Sequence, residues 1–322
     1  RNRHGRNRQR TPDSPDEPDI VAAILNPFVP LYAACDLGPE NGVHDGPLML
    51  DVELTNSCNM RCRMCPTGRM ELKRPTEMMP RETLVALLDQ ADRYRCALRF
   101  IGWGEPTQHP DLVWAISYAS EAGLLTHINT NGILMTEKLA GELVAAGLSS
   151  IKFSFQGVDR ESYADMRMQD FFEELLGRIK RVKDARNDRE LPFIAASTTI
   201  TTESPAQVRE FRERIKPLVD HLSIGKTIMD FLNIPGDDKV DEGLGHPDPC
   251  PEVWAKLSIA SNGQIKVCCN DYSNITDCGN VKTTSLLDAW KHPTMVKYRT
   301  ALAAGNYDQP LCKDCYVYLD EK

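Results

Sequence analysis

Three cysteines in the spacing C-x3-C-x2-C, Cys58, Cys62 and Cys65, are the residues of this sequence with the most specific chemistry. Three thiolates on one loop can bind three irons of a cubane 4Fe-4S cluster, and without a fourth cysteine in reach the last iron is open to a small molecule. The alternative is a zinc knuckle, but structural zinc takes four closed ligands and no histidine lies near this loop in the sequence. The spacing therefore predicts a cluster with one open coordination position.

A second group of cysteines occupies the C-terminal part of the chain. Cys250 and Cys268 flank Gly263, with twelve residues before the glycine and four after it. Cys312 and Cys315 follow as a C-x2-C pair. Four thiolates can ligate every iron of a second 4Fe-4S cluster, or they can hold one tetrahedral zinc ion as in a zinc ribbon. The residues alone leave both metals open.

The other cysteines carry a weaker signal. Cys35, Cys96 and Cys278 have sequence surroundings that suit small buried hydrophobic residues. Cys269 is ambiguous because it adjoins a predicted metal ligand: it can fill space, or its thiol can give a hydrogen atom to a carbon radical. We therefore keep Cys269 as a candidate catalytic residue.

Composition and charge limit the class of protein. The 322 residues are 41% hydrophobic and 26% charged, which is ordinary for a globular enzyme with one large domain and one small one. No apolar run approaches the roughly eighteen residues of a membrane span. Eleven cysteines without a secretory signal indicate metal binding in a reducing compartment, so we expect a cytoplasmic protein. A net charge of -8 argues against nucleic acid as a partner and slightly favours a cationic substrate.

The chain divides into four segments. Residues 1–47 form a disordered or extended lead-in, 48–228 alternate apolar runs with helix-period stretches, 229–249 form a Gly- and Pro-rich linker, and 250–322 hold the second cysteine group. The alternation in the second segment predicts a parallel α/β sheet. Its six predicted strands are 48–54, 97–101, 125–129, 150–155, 193–199 and 221–227.

Polar residues and glycines gather just after the carboxyl ends of these strands, where parallel α/β folds bind their ligands. The second strand runs into a Gly-x-Gly-Glu-Pro turn, in which glycine lets the backbone approach a ligand and the glutamate can accept a hydrogen bond from an amino group. The candidate residues at or just after the carboxyl ends of the second to fifth strands are Gly102, Trp103, Gly104, Glu105, Asn129, Asn131, Ser154, Gln156 and Thr199.

With these motifs the chain resembles the radical S-adenosylmethionine (SAM) superfamily, whose signature is the C-x3-C-x2-C spacing directly after the first strand of a barrel. The resemblance implies a partial (β/α)6 barrel in which the open iron binds the amino and carboxylate groups of SAM. The reduced cluster then cleaves SAM to methionine and a 5′-deoxyadenosyl radical. Met64 stands where the family usually has an aromatic residue, and Trp103 replaces the first glycine of its GGEP motif.

The resemblance also implies roles for the polar candidates. Glu105 would accept a hydrogen bond from the methionyl amino group. The ribose and carboxylate of SAM would be contacted by residues at the ends of the third and fourth strands, namely Asn129, Asn131, Ser154 and Gln156. Thr199 would be a further contact. Arg167 occupies the place of an arginine that pairs with the SAM carboxylate, a task suited to a guanidinium. The alternative for Arg167 is a solvated charge at the end of a helix.

Residues 250–322 resemble the SPASM/twitch extension of the same superfamily, a small β-hairpin and helix domain. A full SPASM domain has seven cysteines and two auxiliary clusters, whereas four cysteines suit a twitch domain with one. The resemblance therefore implies two 4Fe-4S clusters in all, the auxiliary one bound by Cys250, Cys268, Cys312 and Cys315. The layout is most similar to the twitch-bearing inosamine dehydrogenases of the butirosin type, which belong to aminoglycoside antibiotic biosynthesis.

The expected reaction follows from electron count. If the deoxyadenosyl radical removes hydrogen from a carbon that bears a hydroxyl, loss of the hydroxyl proton gives a ketyl radical, and a fully ligated second cluster can accept its electron. The resemblance thus implies oxidation of a secondary alcohol in a cationic aminocyclitol or aminosugar, with an external reductant of the flavodoxin or ferredoxin type and no membrane partner. Lys226, at the carboxyl end of the sixth strand, is the candidate base, or it pairs with a surface carboxylate.

Three other functions stay open. An epimerase would use Cys269 to return a hydrogen atom to the substrate radical. A peptide or protein maturase is the second alternative, and the short lead-in counts against it because a leader-recognition domain needs more residues. A non-enzymatic iron–sulfur protein is the third, and the set of SAM-contact motifs disfavours it.

Overall fold

The structure is a computed structural model and describes residues 26–35, 43–226, 250–313 and 315. In it, eight strands form a single sheet. The strands are β1 (Met49–Val52), β2 (Ala97–Phe100), β3 (Thr126–Thr130), β4 (Ser150–Ser154), β5 (Phe193–Ile200), β6 (His221–Lys226), β7 (Lys256–Ile259) and β8 (Ile265–Lys266). Their spatial order is β6-β5-β4-β3-β2-β1-β7-β8, and neighbours are parallel except β7 and β8. The first six strands confirm the predicted ones, with ends that differ by at most two residues.

Helices connect the parallel strands and cover the outer face of the sheet. They are α1 (Val29–Cys35), α2 (Arg81–Tyr94), α3 (Leu112–Glu121), α4 (Glu137–Ala145), α5 (Arg160–Arg167), α6 (Phe172–Arg186), α7 (Pro205–Ile215), α8 (Leu286–Trp290) and α9 (Pro293–Ala303). Helix α2 buries Leu84, Leu87, Leu88 and Ala91 on one side, because residues three and four apart lie on the same face of a helix. This is the α/β partial barrel that the sequence predicts.

The C-terminal segment adds to the same sheet. Strand β7 pairs in parallel with β1, and its Leu257 and Ile259 join the buried core that contains Leu50 and Val52. Strand β7 then forms an antiparallel hairpin with β8, and helices α8 and α9 follow. The family resemblance implied the hairpin and helix, but not that the hairpin's first strand would extend the barrel sheet.

Within the expected disordered or extended lead-in of residues 1–47, the structure corrects the expectation for residues 29–35, which form helix α1. Phe28, just before this helix, is fully buried against Met49, Ala97 and Ala255, so this part of the lead-in packs on the barrel. Pro30 is compatible with the helix because its first turn needs no backbone donor there. The expected linker 229–249 lies outside the described residues, as do the side chains of Cys35 and Lys226.

The inner face of the sheet is polar. Side chains alternate along a strand, so the apolar residues that pack on the helices leave the intervening positions facing inward. Asp51 on β1, Arg99 on β2, His127 on β3 and Lys152 on β4 occupy such positions. Of the helices in the described ranges, none is long and apolar enough to cross a membrane.

Candidate active site

The three cysteines of the first motif lie on the loop that follows β1 and line one cavity of ≈ 270 Å³. Cys62 is buried, while Cys58 and Cys65 are half-buried. The backbone N–H of Cys65 donates to the carbonyl of Cys62 at 3.2 Å. Burial raises the pKa of the Cys58 thiol to about 11, so a thiolate here requires positive charge close by. Iron ions supply such charge, which suits a metal site.

Two glycines allow the close approach of the loops that form this cavity. A Cβ atom on Gly104 would overlap the carbonyl oxygen of Thr55, and one on Gly68 would overlap that of Cys62. Any other residue would therefore displace the cysteine loop. Gly104 of the predicted turn is therefore required because the backbone of Thr55 leaves no room for a side chain at this position.

Arg167 lies against the cysteine loop. It is the last residue of α5, is only 7% exposed, and donates from Nη1 to the sulfur of Cys62 at 3.4 Å. Its Nη2 donates to the carbonyls of Ser154 and Phe155, the latter at 3.1 Å. This burial is incompatible with the alternative of a solvated charge. The Nε of Arg167 has no hydrogen-bond partner within the described chain, which leaves one donor for a ligand.

Glu105 holds two loops of the site together. Its Oε1 accepts hydrogen bonds from the hydroxyls of Thr107 and Thr130 at 2.6 and 2.7 Å, and its Oε2 accepts one from the backbone N–H of Asn131 at 2.8 Å. Burial raises the pKa of this carboxyl, and the hydrogen bonds oppose that shift. Oε2 retains capacity for a second donor, so the predicted contact with the SAM amino group stays a prediction.

Most of the predicted SAM contacts line the cavity together with the cysteines. They are Met64, Gly102, Trp103, Gly104, Glu105, Asn129, Asn131, Ser154 and Arg167. Gln156 and Thr199 are not among the described residues that line it, and the Gln156 amide donates to the Thr199 hydroxyl. The cavity also contains Thr130 and Asn270, which sequence reasoning missed. The strand-end rule could have found Thr130, whereas no spacing pattern pointed to Asn270.

The cysteines of the second motif lie next to Asn270. Its backbone N–H donates to the sulfur of Cys268 at 3.4 Å, and its side-chain amide donates to that of Cys315 at 3.5 Å. Burial, followed by the negative charges of Cys250 and Cys315, raises the pKa of the Cys312 thiol to about 12. Four sulfurs therefore lie in one region, with hydrogen-bond donors of the kind that tune metal–thiolate sites.

The spread of the sulfurs discriminates between a cluster and a single zinc ion. Sulfurs at 2.3 Å from a tetrahedral zinc would lie about 3.8 Å from one another. Within the described ranges, only Glu252, Cys268 and Cys269 bring three ligand atoms within 4.8 Å of one another. Neither predicted cysteine set brings three sulfurs that close together, so neither has the compact arrangement of a tetrahedral zinc site.

Cys269 lies between the two cysteine sets. It lines the cavity of the first set, and its sulfur is 3.7 Å from Oε2 of Glu252. The indole Nε1 of Trp103 donates to the Cys269 carbonyl at 2.8 Å, which ties the turn after β2 to the segment after β8. Sequence reasoning placed Trp103 and Cys269 in separate motifs, and the structure brings them into contact.

Comparison with known proteins accounts for this arrangement. The profile of the Radical SAM superfamily matches residues 52–215, about half of the chain. The chain belongs to the radical SAM superfamily. An iron-sulfur cluster-binding domain, SPASM, matches residues 250–316. The first matched region therefore binds SAM and a 4Fe-4S cluster, and the second binds additional iron-sulfur clusters. The assignment of individual ligands stays a prediction.

Relatives share the fold and differ in what they act on. The PqqA peptide cyclase of Bradyrhizobium diazoefficiens is 37% identical over 120 residues, 37% of this chain and 31% of that protein. This chain spans 31% to 48% of the first curated relatives that it matches. BtrN in complex with AdoMet and 2-DOIA has a TM-score of 0.56 at 18% identity, over 83% of this chain and 91% of BtrN. SuiB of Streptococcus suis, bound to the precursor peptide SuiA, has a TM-score of 0.66 at 18% identity, over 85% of this chain and 70% of SuiB.

Proposed function

We propose that this radical SAM enzyme is a dehydrogenase, which oxidises a secondary alcohol carbon of a hydroxylated small molecule to a ketone. The supporting observation is that Cys269 and Asn270, beside the second cysteine set, line the same cavity as Cys58, Cys62 and Cys65. When bound, SAM and the clusters would supply a deoxyadenosyl radical and an electron acceptor.

The chain's own residues would orient SAM and enclose the reacting carbon. The Nε of Arg167, which no described residue pairs with, lies beside the sulfur of Cys62, where a carboxylate can accept from it. Asn131 is fixed by its amide's hydrogen bond to Asn59 at 2.7 Å. Removal of the hydroxyl proton needs a base, and Lys226 at the end of β6 stays the predicted residue for that step.

The family resemblance implied an aminocyclitol or aminosugar as substrate. The similarity to BtrN supports a small molecule only through the shared fold, because the identity is 18%. We therefore propose a sugar-sized, hydroxylated substrate.

Peptide modification is the second candidate function, because several curated relatives are named for it. The PqqA peptide cyclase is one of them, and SuiB was solved with a precursor peptide. A peptide substrate would require that the region around the cavity admit a polypeptide chain. The dehydrogenase proposal is preferred because four further sulfurs lie next to the cavity and none is needed for SAM cleavage.

The experiment that separates these functions is an anaerobic incubation in heavy water with SAM, a one-electron reductant and a panel of sugars and aminocyclitols, analysed by mass spectrometry. A dehydrogenase gives a product lighter by two hydrogen atoms, without deuterium at the oxidised carbon. In that case Cys269→Ala should retain activity, as should the core control Cys278→Ala, and Lys226→Met should slow product formation about a hundredfold.

Other outcomes would overturn the proposal. A product of unchanged connectivity with one deuterium on carbon, lost in Cys269→Ala, would identify an epimerase that uses this thiol as hydrogen donor. A change confined to a peptide substrate would identify a maturase. Unchanged SAM cleavage after Cys58, Cys62 and Cys65 are all replaced by alanine would contradict the assignment of these cysteines to the SAM-binding cluster.

A further inference from the structure

A second cavity opens on the polar inner face of the sheet, next to the one lined by the cysteines. It has a volume of ≈ 360 Å³ and extends from Tyr32 of α1 to His221 and Ser223 of β6. The two cavities share Asn129, which lines both. Sites for small molecules usually measure roughly 300 to 1,000 Å³, so this one suits a single sugar-sized molecule. The cavity reaches down to Ser150, Phe193 and His221, the first residues of β4, β5 and β6, so a ligand here would meet the SAM-binding cavity at Asn129.

The charged residues that line this second cavity are cationic. Arg99 and Lys152 both line it, and none of its lining residues in the described ranges is an aspartate or glutamate. His127 also lines it, but burial lowers the pKa of that imidazole to about 3, so it is neutral. His221 contributes a buried Nδ1 that has no hydrogen-bond partner among the described residues. A ligand would therefore meet positive charge and polar groups.

Arg99 is compensated by a carboxylate of the protein. Its Nε lies 3.0 Å from Oδ1 of Asp51, at an angle too poor for a hydrogen bond but close enough for an ion pair. The next cation along the inner face, Lys256, is likewise paired, at 2.7 Å from Oε1 of Glu252. Neither residue therefore leaves a net positive charge on this face.

Lys152 is the exception. Within the described chain its ammonium has no hydrogen-bond or ion-pair partner, and the charged residue that acts on it is the like-charged Arg99. Burial, followed by that repulsion, lowers the pKa of Lys152. Placing an ammonium in a confined site without a counter-ion is unfavourable unless a ligand supplies the missing negative charge.

We propose that the substrate carries an anionic group, a carboxylate or a phosphate, which binds to the ammonium of Lys152 in this cavity. The inference rests on the proposed function, in that it treats the cavity as the substrate site of the dehydrogenase. Asn129, where the two cavities meet, and the Nδ1 of His221 would bind hydroxyl groups of the same molecule. The substrate class is thus a sugar acid or sugar phosphate, in place of the cationic aminosugar that the family resemblance implied.

The test compares four hexoses of similar size and different charge: D-glucuronate, D-glucose 6-phosphate, D-glucose and D-glucosamine. Their dissociation constants are measured by calorimetry on the protein loaded with both clusters and SAM, without reductant so that no turnover occurs. One charge-assisted contact should make at least one of the two anions bind about tenfold more tightly than glucose, with glucosamine weakest. Which anion binds more tightly distinguishes carboxylate from phosphate.

Variants connect the preference to Lys152. Lys152→Met should bring the affinities for the anions and for glucose to within about twofold, because the methionine retains the apolar stem without the charge. Lys152→Arg should retain the preference, and so should Lys138→Met, which removes an exposed lysine on α4. Equal affinity for all four hexoses, tighter binding of glucosamine, no saturable binding of either anion, or an anion preference that survives Lys152→Met would overturn the proposal. Because these measurements omit turnover, they are independent of whether the reaction is an oxidation.

Discussion

His127 shows how strongly the interior of this sheet controls a single side chain. The imidazole is 6% exposed, with Nε2 2.7 Å from Oδ1 of Asn129 and Nδ1 3.0 Å from the hydroxyl of Ser150. These contacts fit the neutral tautomer in which Nε2 donates to Asn129 and Nδ1 accepts from Ser150. A proton added to Nδ1 would break the contact with Ser150 and would lie near Arg99 and Lys152.

The neutral state of His127 makes stability depend on pH. Its pKa in the folded state is about 3, far below its value near 6.5 in the unfolded chain. Between these values the unfolded state binds more protons, so the free energy of unfolding falls as pH falls below 6.5. At pH 5 the loss relative to pH 7 should be about 2 kcal/mol from this residue.

The measurement is anaerobic urea unfolding of the cluster-loaded protein at pH 7 and pH 5, for the wild type and for His127→Gln. Glutamine keeps a polar amide in the same space and does not titrate, so the variant should lose about 2 kcal/mol less than the wild type over this interval. The titration of carboxylates elsewhere changes the free energy of unfolding of both proteins equally, so it cancels when the two acid responses are subtracted. An identical acid response in the two proteins would show that His127 is not held neutral.

At the scale of elements, the barrel loops and the C-terminal segment meet at one buried ion pair. Arg74, on the segment between the cysteine loop and α2, donates to both carboxylate oxygens of Glu53 at 2.6 Å. Its Nε donates to the carbonyl of Tyr272 at 2.8 Å, and Glu53 also accepts from the backbone N–H of Trp103 at 3.2 Å. One guanidinium thus fixes the turn after β2 and the segment after β8 relative to β1.

This junction predicts a large cost for Arg74→Met. The side chains of Arg74 and Glu53 are 8% and 3% exposed, so the substitution would leave a buried carboxylate without its counter-ion. Breaking such a pair should lower the free energy of unfolding by about 3 kcal/mol or more. In the matched control Lys180→Met, the pair with Asp184 is 62% and 59% exposed, and the loss should stay below about 1 kcal/mol. Equal losses in anaerobic urea unfolding would refute a structural role for the Arg74 pair.

The sequence could predict the separate elements but not this junction. Apolar runs are local signals, and they located the first six strands. Arg74 and Tyr272 are separated by 198 positions, and no local pattern relates them. The same holds for Lys152, which the sequence does not distinguish from other lysines on strands, whereas the fold places it in a cavity whose described lining contains no carboxylate.

At the scale of the whole molecule, the sequence predicted two regions with two cysteine sets, and the profiles match both regions. The position of β7 in the barrel sheet was not predictable from patterns, since a short apolar strand carries no information about its partner. Its backbone shows how closely the two regions are joined. The N–H of Glu53 donates to the carbonyl of Ile259 at 2.9 Å, and that of Leu48 donates to the carbonyl of Ala255 at 2.8 Å.

This joint makes folding of the barrel depend on the C-terminal region. A chain that ends before Cys250 would lack β7 and turn β1 into an edge strand, with Leu50 and Val52 losing their neighbours Leu257 and Ile259. Such an exposed apolar edge favours pairing between chains. We expect this truncation to be insoluble or aggregated in size-exclusion chromatography.

The control chain ends at Ala303, retains β7, β8, α8 and α9, and lacks Cys312 and Cys315. It should stay soluble while its iron content after reconstitution falls from about eight to about four per chain. A soluble, monomeric product from the shorter truncation would show that β7 is dispensable and that the two regions fold independently.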